Sequence, residues 1–358
     1  MKNSKSNIKK YFSIDGSYGE GGGSILRLSA AFSVLTKKPI RIYNIRKNRP
    51  KPGLRTQHLV GLESLAELSQ GKLSDVKVGT TEIFFDPNEI KTQTLDINIK
   101  TAGSIGLLLQ AIQIACINNK NEIQLNVKGG ATFGKWAPTI LYIQNITLKI
   151  LEKMGYRTEI DIIKDGFYPK GGAQARIIIK PTKEFNPIQL IGQGNIKEIN
   201  GISIASNFLR KQKVAERQAK VAKRRISNKL NFSCFIKTKY VDTLSPGSGI
   251  CIWLKTDSGV ILGADNVGER GIPAEKVGQK CADFLINTYQ SKATCDTFLS
   301  DQLLPYMAMV TEGKSEFLTS KFTNHAKTNI WLLEQFINKK FLIEQRKNLV
   351  KISCCDKT

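Results

Sequence analysis

The 358-residue sequence lacks the features of metal-stabilised, disulfide-linked and membrane-spanning proteins. Its seven cysteines form no Cys-x-x-Cys pair and its only histidines are His58 and His325, so neither a zinc site nor a disulfide framework is expected. No apolar run is long enough to cross a bilayer, and residues 1–10 are polar and lysine-rich, without the apolar core of a signal peptide. These absences predict a reduced, cytoplasmic protein whose residues 1–10 form a disordered tail.

Acidic residues are also scarce, since 30 Asp and Glu stand against 54 Lys and Arg. The resulting net charge of +24 indicates a polyanionic partner such as RNA, DNA or the ribosome. A proteome that is rich in lysine throughout would produce the same balance. With 41% hydrophobic residues, the chain has enough apolar surface for folded cores, and its length allows two domains.

What the chain does contain is an internal repeat. Residues 11–85 predict a strand, a glycine loop, a helix, a strand, a second helix and two further strands, and this order returns about eighty residues later. The two copies align Gly23-Ser-Ile-Leu-Arg-Leu-Ser-Ala with Gly103-Ser-Ile-Gly-Leu-Leu-Leu-Gln. A third copy is predicted at the end of the chain, from a helix at 298–310 to a strand at 341–344.

The pattern changes between 184 and 271, where a very basic helix and a hairpin indicate a smaller α+β domain inserted before the third copy. The predicted fold class is therefore α+β, with a large domain of three βαβα-type repeats at 11–183 and 272–345. The small inserted domain is predicted at 184–271 and a C-terminal tail at 346–358. Three such units around a common axis would bring Glu20, Gln110 and His325 together.

The stretch 322–336 carries the first candidate catalytic residue. Its apolar spacing predicts an amphipathic helix, and Thr323 and Asn324 are typical of a helix entrance, which places His325 in the first turn. The free N–H groups and partial positive charge at a helix start attract phosphate and disfavour an imidazolium. A neutral imidazole beside a polyphosphate is a usable nucleophile. The alternative is a histidine that only hydrogen-bonds at the helix entrance.

Two further stretches have the composition of phosphate-binding segments. The loop 15–24 is rich in glycine and opens a helix, with Glu20 as a candidate ligand of a divalent cation and Arg27 one turn inside. The loop 46–58 concentrates five cations, including Arg46 and Arg49, and is stiffened by Pro50 and Pro52. It ends in Gln57 and a histidine predicted to be structural or a phosphate contact. A tight turn and a solvated charged loop are the respective alternatives.

The basic helix predicted at 208–226 carries cations at intervals of three and four residues, which places Arg217, Lys220 and Arg224 along one face. This face is a candidate contact for the phosphates of a nucleic acid, and it would carry little sequence information. A solvated helix face is the alternative.

Several motifs, taken together and in order, resemble the RNA 3'-terminal phosphate cyclase family over nearly the whole chain. They are Gly19-Glu-Gly-Gly-Gly23, Ile45-Arg46 through Arg49-Pro-Lys-Pro-Gly-Leu54 to Gln57-His58, Gly166-Phe-Tyr-Pro-Lys-Gly-Gly172, Gly263-Ala-Asp265, Asp301-Gln302-Leu303 and Thr323-Asn-His325. The family fold also has three repeated units with a small inserted domain.

This resemblance implies an ATP-dependent reaction at an RNA 3'-phosphate end, with a divalent metal, Mg²⁺ or Mn²⁺. The imidazole matching His325 attacks the α-phosphorus of ATP, AMP passes to the RNA 3'-phosphate, and the neighbouring 2'-hydroxyl displaces AMP to close a 2',3'-cyclic phosphate. The remaining roles are carried over by motif: metal binding for Glu20; phosphate or RNA binding for Arg27, Arg46, Arg49 and Gln57; nucleotide binding for Gln110, Pro138, Phe298, Asp301 and Gln302.

Two other classes of protein are built from similar repeated units and are alternatives to the cyclases. The cyclase-like ribosome-biogenesis proteins are binding scaffolds without the cyclase histidine, so the presence of His325 argues against that class. An enolpyruvyl-transferase-like enzyme would bind phosphoenolpyruvate and form no protein-AMP adduct. The oligomeric state is not indicated by the sequence.

Overall fold

The computed structural model describes residues 10–134 and 136–357, so the predicted tail at 1–10 falls almost entirely outside the described residues. The first repeat contains two helices and four strands: β1 (Phe12–Asp15), α1 (Gly23–Thr36), β2 (Ile40–Tyr43), α2 (Thr56–Ser69), β3 (Lys72–Leu73) and β4 (Ile83–Asp86). The sheet order is β1-β2-β4-β3, in which β1 and β2 are parallel and the other pairs are antiparallel.

The second repeat has the same topology. Its elements are β5 (Thr94–Ser104), α3 (Ile105–Ala115), β6 (Ile123–Ala131), α4 (Ile140–Tyr142), a π-helical turn (Ile143–Thr147), α5 (Leu148–Lys153), β7 (Thr158–Lys164) and β8 (Gln174–Ile179). The sheet order β5-β6-β8-β7 again joins one parallel pair to two antiparallel pairs. The second helix predicted for this copy is therefore present, with a π-helical turn in its middle.

A short strand and a compact inserted unit follow: β9 (Gln189–Leu190), β10 (Ile196–Ser206), a 3-10 turn (Asn207–Leu209), α6 (Val214–Leu230), β11 (Phe235–Val241), β12 (Ser248–Thr256), β13 (Ile261–Val267) and α7 (Ala274–Gln290). The inserted sheet has the order β11-β10-β12-β13. Helix α7 packs on α6, because a Cβ on Gly278 would lie 2.2 Å from the carbonyl oxygen of Gln218.

The third repeat is completed by α8 (Thr297–Met307), β14 (Ser315–Thr319), α9 (Asn324–Phe336), β15 (Lys339–Arg346) and β16 (Leu349–Asp356). Its sheet order is β9-β14-β16-β15, with β9 and β14 parallel and the other two pairs antiparallel. The topology matches that of the first two repeats, so the prediction of a three-repeat α+β fold is confirmed.

Three details of the predicted organisation are wrong. The C-terminal tail at 346–358 is instead occupied by β16, which lies between two other strands of the third sheet. Strand β9 lies inside the predicted insertion 184–271 but belongs to the third sheet, so the insertion interrupts the third repeat after its first strand. Helix α7 lies inside 272–345 but packs with the inserted unit, because it covers α6, β12 and β13.

The helices of the three repeats pack on one another. Helix α1 is built almost entirely of apolar and small residues, and it is buried because it packs against α2, α3 and α9. Helix α8 packs against α9 and the π-helical turn. Helix α1 of the first repeat therefore contacts a helix of each of the other two repeats.

Candidate active site

Glu20 lies beside both His325, at the start of α9, and Arg49. Thr323 caps this helix, since its Oγ1 accepts a hydrogen bond from the backbone N–H of Ala326 at 2.9 Å. In the first turn, Nε2 of His325 lies 2.9 Å from Oε2 of Glu20, and the same oxygen lies 3.7 Å from Nη2 of Arg49. The imidazole is half exposed, so an incoming group can reach it.

The glycine loop that carries Glu20 is docked on α9. The ring of Tyr18 stacks on that of Trp331, with centroids 3.7 Å apart and planes 13° from parallel. Gly19 has a φ of +58° and packs so closely on Thr328 that a Cβ there would lie 2.3 Å from its Oγ1. Only glycine combines this backbone conformation with this contact. The loop and the helix therefore hold Glu20 and His325 in one arrangement.

The start of α1 forms a cationic recess. No side chain caps this helix, and its first residues lie under the side chains of two arginines and a histidine. A Cβ on Gly22 would lie 3.0 Å from Nη2 of Arg49, and one on Gly23 would lie 2.6 Å from Nε2 of His58 and 3.2 Å from Nη1 of Arg27. Free helical N–H groups surrounded by cations are a site for an anion.

Arg27 is the least compensated of these cations. Its Nε is buried and has no hydrogen-bond partner, and no ion pair joins it to a carboxylate within residues 10–134 and 136–357. Burial lowers the pKa of its guanidinium to about 10, so Arg27 remains charged at neutral pH. A buried, unpaired guanidinium beside a helix start is favourable only when an anion binds there.

His58 is a neutral member of the recess. Burial and the charges of Arg27, Arg46 and Arg55 lower the pKa of its imidazole to about 3. Its Nδ1 accepts a hydrogen bond from the backbone N–H of Arg55 at 3.1 Å, which leaves the proton on Nε2, the atom that faces Gly23. His58 is therefore a hydrogen-bond donor into the recess, consistent with the predicted structural or phosphate-contact role.

Arg46, which was predicted to bind phosphate or RNA, forms hydrogen bonds within its own loop. Its Nη1 donates to the carbonyl oxygens of Lys51 at 2.7 Å and Gly53 at 2.8 Å, so the side chain holds its own loop together. Burial and the nearby charges of Arg55 and Arg49 lower the pKa of its guanidinium. Arg46 adds positive charge to the recess while it organises the loop.

A pocket beside the recess contains three of the predicted nucleotide-binding residues. Gln110, Pro138 and Gln302 line it, together with residues of the π-helical turn, and its volume is about 30 Å³. A second, smaller pocket is lined by Arg27 and Gln57, and Leu107 of α3 lines both. The predicted nucleotide-binding residues therefore lie next to the cationic recess, around a small cavity.

Helix α8 supplies the rest of the predicted nucleotide-binding set. Phe298 lies one turn before Gln302, which donates to its carbonyl oxygen at 3.0 Å, and its ring stacks on Phe284 at 5.1 Å. Phe298 is 44% exposed and is not among the residues that line the pocket of Pro138. Gln302 itself accepts a hydrogen bond from Thr147 at 2.9 Å.

Asp301 links α8 to the start of α9. Its Oδ1 accepts a hydrogen bond from Oγ1 of Thr323 at 2.7 Å, and its backbone carbonyl accepts one from Nδ2 of Asn329 at 3.4 Å. Burial, and to a smaller degree the charges of Glu20 and Asp296, raise the pKa of its carboxyl to about 7. Asp301 therefore helps to position the helix that carries His325.

A buried carboxylate network was not predicted from the sequence. Asp296 accepts hydrogen bonds from the hydroxyl of Tyr142 at 2.7 and 2.8 Å, and Asp265 accepts one from the backbone N–H of Thr139 at 2.7 Å. Burial raises the pKa of Asp265 to about 6. Because Thr139 follows Pro138, the inserted domain positions one wall of the pocket. The motif 263–265 was the only signal in the sequence for this contact.

The donor set fits a magnesium ion held largely by phosphate oxygens. Within the described ranges, no group of three or more His, Cys, Asp or Glu side chains could form a complete metal site. Mg²⁺ is commonly bound through one or two carboxylates together with substrate phosphates and water. Glu20 provides such a carboxylate beside the cationic recess.

Comparison with known sequences agrees with this arrangement. A sequence model of the family described as RNA 3'-terminal phosphate cyclase matches residues 18–343. The chain belongs to this cyclase family. It is similar to proteins named RNA 3'-terminal phosphate cyclase from Thermococcus kodakarensis, 44% identical over 337 residues, 94% of this chain and 95% of the relative. A second, from Methanosarcina barkeri, is 42% identical over 342 residues, 95% and 98% of the two chains.

The match to the cyclase family covers the second repeat, the inserted unit and most of the first and third repeats. It includes every candidate site residue discussed above, from Glu20 to His325. In the part of the chain that the structure describes, no helix is long and apolar enough to cross a bilayer.

Proposed function

We propose that this protein converts an RNA 3'-terminal phosphate to a 2',3'-cyclic phosphate with consumption of ATP. The observation that carries the proposal is the position of His325 and Glu20 beside a cationic recess that opens onto the pocket of Gln110, Pro138 and Gln302. A nucleophile, a carboxylate and unpaired cations are parts that nucleotidyl transfer requires.

In the first step, an imidazole nitrogen of His325 attacks the α-phosphorus of ATP. A phosphorus–nitrogen bond forms, the bond to the bridging oxygen breaks, and pyrophosphate leaves. Arg27 and Arg49 stabilise the negative charge that develops on the phosphate oxygens, and His58 donates its Nε2 proton as a hydrogen bond. A magnesium or manganese ion bound to Glu20 and the phosphates would supply further neutralising charge.

The second and third steps use the RNA. A 3'-phosphate oxygen of the RNA attacks the histidyl-AMP, the phosphorus–nitrogen bond breaks, and His325 is regenerated. The neighbouring 2'-hydroxyl then attacks the 3'-phosphorus and releases AMP as the ring closes. One ATP is thus converted to AMP and pyrophosphate for each cyclic end formed.

The test is covalent labelling with ATP that carries the label on its α-phosphate, in Mg²⁺ or Mn²⁺. We expect a labelled protein band that is lost in acid and survives alkali, as a phosphoramidate does, and that is absent from His325→Ala. His325→Asn is a second variant that keeps a hydrogen-bonding side chain for Glu20. A protein that binds ATP and stays unlabelled with either metal would overturn the mechanism and favour a binding scaffold, for which ribosomal RNA binding is the next measurement.

A further inference from the structure

The loop between β7 and β8 lies close to the candidate site. A Cβ on Gly171 in this loop would lie 3.1 Å from the Cα of Ala102. The next residue along, Gly103, packs on Gln57, since a Cβ on Gly103 would lie 3.2 Å from that of Gln57. Tyr168 belongs to the same loop and is 59% exposed. The loop that carries the exposed ring of Tyr168 therefore contacts the segment that packs on Gln57, which lines a pocket with Arg27.

The inserted domain is fixed directly behind this loop. The rings of Phe133 and Phe167 are buried and stacked at 5.1 Å, and they form a small core with Ile204 of β10. Nζ of Lys239 on β11 lies 3.4 Å from Oδ2 of Asp165, just before the loop. The loop and the edge of the inserted sheet are thus one continuous surface.

Strand β11 extends that surface away from the site. It is the edge strand of the inserted sheet, and its alternate residues Phe235, Lys237 and Lys239 share one face while Ile236 is buried on the other. Phe235 is 66% exposed. We call the exposed residues of this surface the β11 strip, which consists of Tyr168, Lys170, Lys239, Lys237 and Phe235.

Two arginines of the basic helix α6 are engaged within the inserted unit. On that helix, Arg217 pairs with Glu275 at 2.6 Å and Arg225 pairs with Asp283 at 2.5 Å, so both arginines attach α6 to α7. By contrast, Lys170 and Lys237 form no ion pair with any described residue.

The chemistry of the strip selects a single-stranded nucleic acid. Lysines in a row neutralise successive phosphates, and exposed aromatic rings stack on bases that are not already paired. A duplex offers no free base faces to Tyr168 or Phe235.

We propose that the β11 strip binds the single-stranded RNA segment that precedes the 3'-phosphate. This inference rests on the proposed function, because it assumes that the RNA end enters the recess at His325. The 3' end lies at the recess, the next nucleotides cross the loop at Tyr168, and the strand continues along Lys239 and Lys237 to Phe235.

The test measures the affinity of fluorescein-labelled RNAs with a 3'-phosphate, about 4 and about 20 nucleotides long, by anisotropy without ATP. We expect the long RNA to bind wild type more tightly than the short one. Combining Lys237→Glu with Phe235→Ala should weaken the long RNA at least about 10-fold and leave the short one nearly unchanged. The matched control is Lys91→Glu. Lys91 lies near the ion pair of Lys37 and Glu89 at the C-terminal end of α1. The rise of this helix separates that end from the start of α1 by about 20 Å.

RNA binding by the β11 strip would be contradicted if the strip variant bound the long RNA as tightly as wild type does. It would also be contradicted if Lys91→Glu weakened binding of the long RNA equally, because net charge would then be the cause. Equal affinity of wild type for a duplex of the same length would also contradict it. Labelling of His325 by ATP needs no RNA, so the strip variant should keep it. If the protein shows the length effect but forms no histidyl-AMP, RNA binding by the strip is supported and the cyclase mechanism is contradicted.

Discussion

The indole of Trp331 lies flat on the ring of Tyr18, with centroids 3.7 Å apart, and this stack fastens the glycine loop to the helix of His325. Five of the loop residues from 16 to 23 are glycine, so the loop has few side chains that could fasten it. Stacked aromatic pairs contribute beyond the area that they bury. The distance between Glu20 and His325 therefore depends on two residues that touch neither of them.

Replacing Trp331 by alanine should slow the labelling of His325 by ATP about 10-fold, because misplacing a catalytic group by about 1 Å can cost more than this. The measurement is the initial rate of covalent labelling at saturating ATP and Mg²⁺, with the fold checked by circular dichroism. Trp331→Phe keeps an aromatic face and should retain most of the rate. If the alanine variant is labelled at the wild-type rate, the stack does not position the loop.

Glu20→Gln should raise the Mg²⁺ concentration needed for half-maximal labelling at least about 10-fold, because an amide oxygen is a weaker ligand of a hard cation than a carboxylate. The glutamine still offers an oxygen to Nε2 of His325, so the loss reports metal binding. Metal titrations of the labelling rate provide the measurement. Glu89→Gln, at the far end of α1, is the matched control. An unchanged titration would remove Glu20 from the metal site.

Arg27→Met should stabilise the free protein and abolish its response to anions. The substitution removes a buried charge whose Nε has no partner, and it keeps much of the side-chain volume. In phosphate-free buffer we expect a Tm about 2–4 °C above that of wild type. Pyrophosphate should raise the Tm of wild type and leave that of the variant unchanged.

Arg176→Met is the control for this comparison, since Arg176 lies on the exposed side of β8. It should keep the pyrophosphate response. If Arg27→Met instead lowers the Tm and still responds to pyrophosphate, Arg27 is a structural residue and the anion lies elsewhere.

Asp301→Asn should be more stable than wild type at high pH only. Burial raises the pKa of this carboxyl from 3.8 to about 7. Ionisation in the folded state therefore costs free energy of folding, and this cost appears as the pH rises from the lower value through the higher one. At pH 8 the variant should melt about 2–4 °C above wild type, and the two should converge near pH 4.

The measurement is the Tm of both proteins across this pH range. Asparagine keeps an acceptor for Oγ1 of Thr323, so the helix cap is preserved. Asp161→Asn on the exposed side of β7 is the matched control and should follow the wild-type profile. A constant difference between wild type and Asp301→Asn at every pH would contradict a raised pKa.

The organisation of the third repeat shows where sequence patterns stop being informative. Strand β9 contains only two residues, and about a hundred residues separate it from α8, so no periodicity marks it. Strand β16 resembled a tail because Lys and Asp flank its apolar residues, and only its pairing with β14 and β15 shows its place. In both cases the partner strand, which is distant in sequence, decides the structure.

The site shows a similar division. Local spacing placed His325 in the first turn of a helix and Glu20 in a glycine loop, because helix entrances and flexible turns depend on neighbouring residues. Local spacing did not indicate the stack of Tyr18 on Trp331 or the ring of Phe284 behind Phe298, since these contacts join different elements.

The amino-acid pattern alone was sufficient for the repeated strand and helix order, the positive charge and the identity of the candidate nucleophile. These properties are set by composition and by interactions within one or two helical turns. The tertiary structure was needed to bring Glu20 within 2.9 Å of His325, to bury Arg27 without a partner for its Nε among the described residues, and to join strand β11 to the loop after β7. Such relationships arise when separate repeats bury their apolar faces together, and no local rule contains them.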